Sequence, residues 1–229
     1  MTDIHSHVLP LVDDGSDFYE KSFEMLEHAK KLGVDKMVLT PHYKKGVYDL
    51  PAQKIIERYK DFCEKVKERG IEIKLYLGQE IAFSPSFYEQ LKSGEYLTIN
   101  GEKFVLIEFD YFEPCDISDC VYNVKALGYT PVIAHVERYL YLSNQNVIEL
   151  KNEGALIQLN SGSVTGRHGR KLKKKAISLI KLGLDDFISS DVHYGRKNDL
   201  DLGYKIIKRR FGKAVADDLF ENNAKIFNL

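Results

Sequence analysis

Apolar and polar positions along this chain follow two periods in turn, and that succession predicts an architecture. Residues 1–15 (MTDIHSHVLPLVDDG) open with a two-residue period that sets Asp3, His5 and His7 on one side and Ile4 on the other. Residues 17–32 change to helical spacing, with Phe18, Phe23, Leu26, Ala29 and Leu32 forming the stripe and Gly33 the C-cap. A β-rich run over 36–40 then delivers Pro41, His42 and Tyr43 at its end. The cycle continues through a helix at 52–69, a strand at 71–77 leading to Glu80, and a strand at 103–109 that carries Glu108. A helix at 117–127 precedes a strand at 131–134 that delivers His135; a helix at 147–153 precedes a strand at 155–160. A helix at 171–182 precedes a strand at 186–190 that runs into Asp191 and His193, and helices at 202–211 and 214–220 follow. Residues 83–96 read as a short helix with loops, Asn100-Gly101 as the turn of a β-hairpin, and Ser161-Gly162-Ser163 as a plain turn.

Strands that alternate with helices imply a parallel sheet, because each helix carries the chain back to the start of the next strand. About seven such strands in regular alternation favour a closed barrel over an open doubly wound sheet. The 229 residues show no linker, so one domain over 1–229 is expected. Parallel strands share their C-terminal edge, and that edge receives five of the seven histidines: His5, His7, His42, His135 and His193. His28 falls on a helix and His168 near a helix start.

Composition narrows the chemistry. Lys and Arg total 33 against 34 Asp and Glu, for a net charge of −1, which predicts no general affinity for nucleic acid or membrane surfaces. No secretory leader or apolar stretch of spanning length is visible, so a cytoplasmic protein is expected. Cys63, Cys115 and Cys120 lack metal-ligand or disulfide spacing, so any metal must be held by imidazole and carboxylate. A lone His-x-His pair is as readily hydrogen-bonded as metal-bound. With Asp14, Glu80, Glu108 and Asp191 at the same edge, the set becomes too large for one ion.

The motifs DIHSHVLPLVDDG, TPHY, GQE, IEF, AHVER, NSGS and SDVH, in this order over nearly the whole chain, resemble the polymerase and histidinol phosphatase (PHP) family, and within it the capsule-type bacterial tyrosine phosphatases. The resemblance implies a distorted TIM-like (β/α)7 barrel and two to three divalent cations, manganese first, with iron or zinc as alternatives. It places His5, His7, Glu80 and Asp191 on a first metal. Glu80 would bridge to a second, held also by Glu108 and His135, and Asp14, His42 and His193 would hold a third. Arg138 and Arg196 match the family's phosphate-gripping arginines, and Asp3 is expected to orient a histidine ligand. The reaction so implied is hydrolysis of phosphotyrosine by a hydroxide bridging the metals, with the tail of a bacterial tyrosine kinase that governs capsular or extracellular polysaccharide as substrate. A histidinol-phosphate or other small-molecule phosphomonoesterase of the same family is the competing enzyme, and a non-catalytic domain that holds phosphorylated tails is the competing class. Oligomeric state is not legible.

Two further stretches call for a reading. Cys63 to Arg69 (CEKVKER) fits the C-x5-R pattern of thiol phosphatases, yet Glu and Lys within an amphipathic helix cannot form the phosphate-cradling loop that lowers a thiol pKa. The basic run over 167–175 (RHGRKLKKK) is either the solvated face of a helix start or a docking surface for an acidic or phosphorylated tail.

Overall fold

In the computed structural model, which describes residues 1–221 and 226, nine strand segments pair in parallel throughout. They are β1 (Thr2–Asp3), β2 (Lys36–Leu39), β3 (His42–Tyr43), β4 (Lys74–Leu77), β5 (Glu80–Ala82), β6 (Phe104–Glu108), β7 (Thr130–Ile133), β8 (Leu156–Asn160) and β9 (Phe187–Ser189). Two of the runs are broken once each. Thr40-Pro41 separates β2 from β3, and Gly78-Gln79 separates β4 from β5. The nine segments therefore make seven staves. One sheet runs β1-β2-β4 and the other β3-β5-β6-β7-β8-β9.

A parallel bridge between Ser6 and Val192 joins the last stave to the first, with His7 N–H donating to the Val192 carbonyl at 3.0 Å and Asp191 N–H to the His5 carbonyl at 2.9 Å. The sheet is closed, as the alternation predicts, and the open doubly wound alternative is set aside.

Alternation along the strands sorts the core into two sets. Ile4, Val38, Tyr76, Leu106, Val132 and Phe187, one from each of six strand runs, cluster together, which is possible only inside the ring. Met37, Leu39, Val105, Ile107, Ile133, Ile157 and Ile188 join the larger core outside it, where Phe23 and Phe62 from two helices stack at 5.7 Å. The helices Tyr19–Lys31, Ala52–Glu68, Ile117–Ala126, Asn144–Glu153 and Arg170–Lys181 return the chain between strands. Burial of each large apolar side chain contributes about 2 kcal/mol, so both faces of the sheet are stabilised.

Local expectations needed correction. Asn100-Gly101 forms no hairpin: Ile99–Gly101 is a 3₁₀ turn with Asn100 at φ 56°. The turn chemistry is present, but β6 has parallel partners on both edges, β5 and β7, so no edge is free for an antiparallel return. Ser161–Thr165 is a short helix closed by Gly166 in place of a simple turn. The segment 83–96 contains the helix Phe87–Ser93. Among the described residues no helix is long and apolar enough to cross a membrane.

Candidate metal centre

The C-terminal ends of the strands surround a cavity of about 260 Å³ lined by Asp14, His42, Glu80, Glu108, His135, Arg138, Asp191, His193 and Arg196, with Lys44, Tyr48 and Tyr111. His5 and His7 are fully buried behind it. Glu80 is the hub. Its Oε2 lies 3.3 Å from Nε2 of His5, 3.3 Å from Nε2 of His7 and 2.9 Å from Nδ1 of His42, while its Oε1 lies 2.8 Å from Nε2 of His135. Asp191 Oδ1 sits 3.7 Å from His5 and 3.5 Å from His7, and Glu108 Oε1 sits 3.5 Å from His135. On the outer side Asp14 Oδ1 is 3.7 Å from His42 and 3.6 Å from His193.

Three groups bring ligand atoms within 4.8 Å of one another: His5 with His7 and Glu80; His7 with Asp14, His42 and His193; and His42 with Glu80 and Glu108. The structure thus gathers every residue expected from the motifs. It also shares them more widely than expected, since His7 and His42 each face two groups and His135 touches both carboxylates of its expected group.

Hydrogen bonds decide what these atoms can do. His5 Nδ1 faces the Gln158 carbonyl oxygen at 3.2 Å, an acceptor only, and His7 Nδ1 donates to Asp13 Oδ2 at 2.7 Å. Each ring is thereby fixed with its N–H at Nδ1, so in the neutral form both lone pairs lie at Nε2. Those two Nε2 atoms face each other at 3.2 Å and share a carboxylate. Lone pairs converging on an anion repel unless a cation lies between them. A mixed imidazole and carboxylate set suits manganese, iron or zinc, so the residues fit a divalent ion.

The electrostatics express the same demand. Burial opposes protonation of His5, but Glu80 and Asp191 outweigh it and raise the pKa to about 9. His7 moves up in the same way against its burial, through Asp13 and Glu80. Glu80 is driven well below the usual carboxylate range, because His5, His42 and His135 overcome the cost of burying its charge. His193 moves the other way: burial and the neighbouring His7 lower it, and Asp14 only partly offsets them.

The backbone is strained at two of the residues gathered here. His135 has φ 34° and Asp191 φ 50°, a left-handed conformation that costs a non-glycine residue on the order of 1 kcal/mol or more. Asn160 Nδ2 donates to Asp191 Oδ2 at 2.7 Å and holds the carboxylate in place. Gly15 packs against His7 so tightly that a Cβ there would fall 2.0 Å from the His7 carbonyl oxygen. Only glycine fits, and its turn lets Asp13 and Asp14 reach the centre together.

Asp3 does not contact an imidazole, contrary to expectation; it accepts from the backbone N–H groups of His5 at 3.3 Å and Ser190 at 3.0 Å, tying β1 to the end of β9. Imidazole orientation falls to Asp13 and Gln158, which sequence reasoning missed. Gln158 carries a legible signal, a polar residue inside the apolar run ALIQLN. Tyr111 was missed too: its hydroxyl donates to Glu108, and the Arg138 guanidinium lies 4.0 Å above its ring. Arg138 Nη1 is 3.5 Å from Asp191 Oδ2, and Arg196 Nη1 is 3.2 Å from His193 Nδ1, so both arginines stand at the cavity. Cys63 lies within the helix Ala52–Glu68, where burial raises its thiol pKa and no phosphate-binding loop surrounds it.

The family model for capsular polysaccharide synthesis proteins, CpsB/CapC, matches residues 1–228. The chain belongs to this family. Among its relatives, the tyrosine-protein phosphatase CpsB of Streptococcus agalactiae is 36% identical over 236 residues, covering 98% of this chain and 97% of the relative. The tyrosine-protein phosphatase YwqE of Bacillus subtilis is 30% identical, covering 97% of this chain and 89% of the relative. A solved structure from work on YwqE of Bacillus subtilis and CpsB of Streptococcus pneumoniae, described as unique metal-dependent tyrosine phosphatases, superposes with a TM-score of 0.93 at 29% identity, covering 100% of this chain and 94% of the other. The CpsB/CapC assignment agrees with the PHP-type resemblance read from the motifs.

Proposed function

We propose that this CpsB/CapC family member is a metal-dependent protein-tyrosine phosphatase. The observation that carries the reading is the pair of Nε2 atoms of His5 and His7, 3.2 Å apart and each 3.3 Å from Glu80 Oε2, beside a cavity with two arginines on its wall. His5, His7, Glu80 and Asp191 hold one divalent cation, Glu80, Glu108 and His135 a second, and Asp14, His42 and His193 a third. Manganese is the ion favoured by the family resemblance; the imidazole and carboxylate ligands also suit iron or zinc.

Bound divalent cations supply Lewis acidity that draws charge from phosphoryl oxygens and lowers the pKa of water. The chain's own residues do the rest. Arg138, braced by Tyr111 and Asp191, grips equatorial phosphoryl oxygens in the paired geometry a guanidinium permits, and Arg196 meets them from the His193 side. As an oxygen from water bonds to phosphorus, the bond to the tyrosine oxygen breaks, and its electron pair and a proton end on the phenol. Asp13 and Gln158 keep His5 and His7 from rotating, so the ligand atoms need no rearrangement.

The substrate is a phosphotyrosine protein, and the family's link to capsule synthesis favours the tail of a bacterial tyrosine kinase in the cytoplasm. The test is phosphate release from a phosphotyrosine peptide and from histidinol phosphate, side by side, by metal-stripped protein with and without manganese. Manganese-restored turnover that favours the peptide is the expected result. Preference for histidinol phosphate would move the enzyme to small-molecule chemistry, and no turnover with manganese, iron or zinc would leave a phosphate-binding domain.

A further inference from the structure

The helix Arg170–Lys181 is charged unlike the other helices of the barrel. It carries six Lys or Arg among its twelve residues and no acid, and its first turn holds Arg170, Lys171 and Lys173. Positive side chains at a helix N-terminus oppose the backbone dipole, so this placement costs stability. Several lysines on other helices pair with an acid on the same helix or its cap: Lys21 with Asp17, Lys54 with Glu57, Lys65 with Asp61, Lys205 with Asp201 and Lys213 with Asp217. The helix Arg170–Lys181 holds no acid for such pairing.

The structure divides the basic run into two sets. Arg167, Lys173 and Lys175 are used internally: Arg167 Nε bonds Asp199 Oδ2 at 2.6 Å, Lys173 Nζ donates to the Thr165 carbonyl at 3.0 Å, and Lys175 Nζ donates to the carbonyls of Tyr139 and, at 2.8 Å, Leu142. Lys175 thereby anchors this helix to the segment that follows Arg138, at the cavity edge. Arg170, Lys174 and Lys181 are exposed, and among the described residues none of them meets a carboxylate. Together with Arg210, also exposed, they line a groove of about 460 Å³ whose floor includes Ile177 and Ser178. A concave cationic track suits an extended acidic chain that can lie along it, whereas a flat lipid surface cannot follow the concavity.

We propose that this groove docks the acidic flank of the phosphotyrosine protein, so that residues beside the phosphotyrosine lie along the helix while the phosphate occupies the cavity. The inference rests on the phosphatase reading above. From Arg170 to Lys181 the helix rises about 16 Å, which an extended chain covers in about five residues. Recognition is by charge along a track, so it depends on net acidity of the flank more than on any one side chain, and it weakens with salt.

The test compares metal-loaded wild-type protein with a Lys174→Glu/Lys181→Glu/Arg210→Glu variant and a milder variant carrying Gln at the same positions, each checked for fold by circular dichroism. The probes are para-nitrophenyl phosphate, a phosphotyrosine peptide flanked by Asp and Glu, the same peptide flanked by Ser and Gly, and a fluorescent unphosphorylated acidic peptide read by anisotropy. The expected result is about a tenfold loss of affinity and of kcat/KM for the acidic peptides on charge reversal, with a smaller loss for the Gln variant. Turnover of para-nitrophenyl phosphate and of the Ser/Gly peptide stays as in the wild type. Equal binding of the acidic peptide by wild type and variants overturns the proposal. So does loss of sedimentation with phosphatidylserine vesicles while peptide binding is unmoved, which assigns the groove to a membrane. If the wild type hydrolyses none of the three esters, the phosphatase reading fails, and the anisotropy comparison still decides the groove.

Discussion

Glu80 and Asp185 are buried acids at opposite ends of one barrel, and burial leaves them in opposite states. Glu80, at the C-terminal edge, has nitrogens of His42 and His135 at 2.9 and 2.8 Å and those of His5 and His7 at 3.3 Å, and its pKa falls far below the usual range. Asp185, just before β9 at the N-terminal edge, has an Oδ2 with no hydrogen-bond partner among the described residues, and burial raises its pKa to about 7. Asp186 and Asp218 push in the same direction, and Lys151 only partly offsets them. Desolvation is the largest influence on both. What separates them is the positive charge brought to meet it. At the mouth the fold concentrates groups that call for cations, and at the base burial without a matching cation raises the pKa of an acid.

The strongest way to break this contrast is Glu80→Gln, which removes the carboxylate shared by two ligand groups. We expect bound metal, measured by elemental analysis, to drop and phosphotyrosine turnover to fall by on the order of 10³-fold. Full metal content and turnover in this variant would overturn the assignment of Glu80 as hub. Asp13→Ala is gentler: it leaves every ligand but frees the His7 ring and the His42 backbone N–H, which Asp13 Oδ2 holds at 2.7 and 2.9 Å. Metal affinity by calorimetric titration should weaken by about 10- to 100-fold.

At the other end, Asp185→Asn tests the neutral acid. Its folded pKa, about 7, lies above the 3.8 of an ordinary Asp, so the native state keeps a proton that the unfolded chain has released. Stability is therefore highest below 3.8, falls as pH rises towards about 7, and stays reduced above. Asn removes that loss, and denaturant unfolding should show stabilisation of about 2–4 kcal/mol at pH 8 that shrinks as the pH is lowered. A gain independent of pH would mean that packing, not charge, is responsible. The smallest effect is expected for Cys63→Ser, far from either end of the contrast: turnover unchanged, because the thiol sits on a helix with no phosphate cradle. Abolished turnover with intact fold would revive a thiol mechanism.

The mouth of the barrel was largely legible because two independent regularities converge there. Periodicity placed the ends of the strands, and His42, His135 and His193 stood at those ends with carboxylates in the same positions. Asp13 was hidden by its neighbour: in Asp13-Asp14-Gly15 either acid suits a turn, and only the path forced by the contact between Gly15 and His7 shows which one turns back to an imidazole. Asp3 was misread for a related reason, since alternation puts its side chain on the His5 side but says nothing of the Ser190 N–H waiting across the seam. Asn100-Gly101 shows the limit of local signals: the dipeptide sets a turn, while hairpin formation depends on a free sheet edge elsewhere in the chain.

The seam at which Ser6 meets Val192 also sets an order of events during synthesis. β1 leaves the ribosome long before β9, so the nascent chain carries His5 and His7 beside an unpaired sheet edge for most of translation. Asp191 and His193 arrive only with the final stave, and the N–H of Asp191 that reaches the His5 carbonyl closes the ring and completes the proposed ligand set in one act. A chain stalled before that point holds a fragmentary centre, so phosphatase competence should coincide with completion of the barrel.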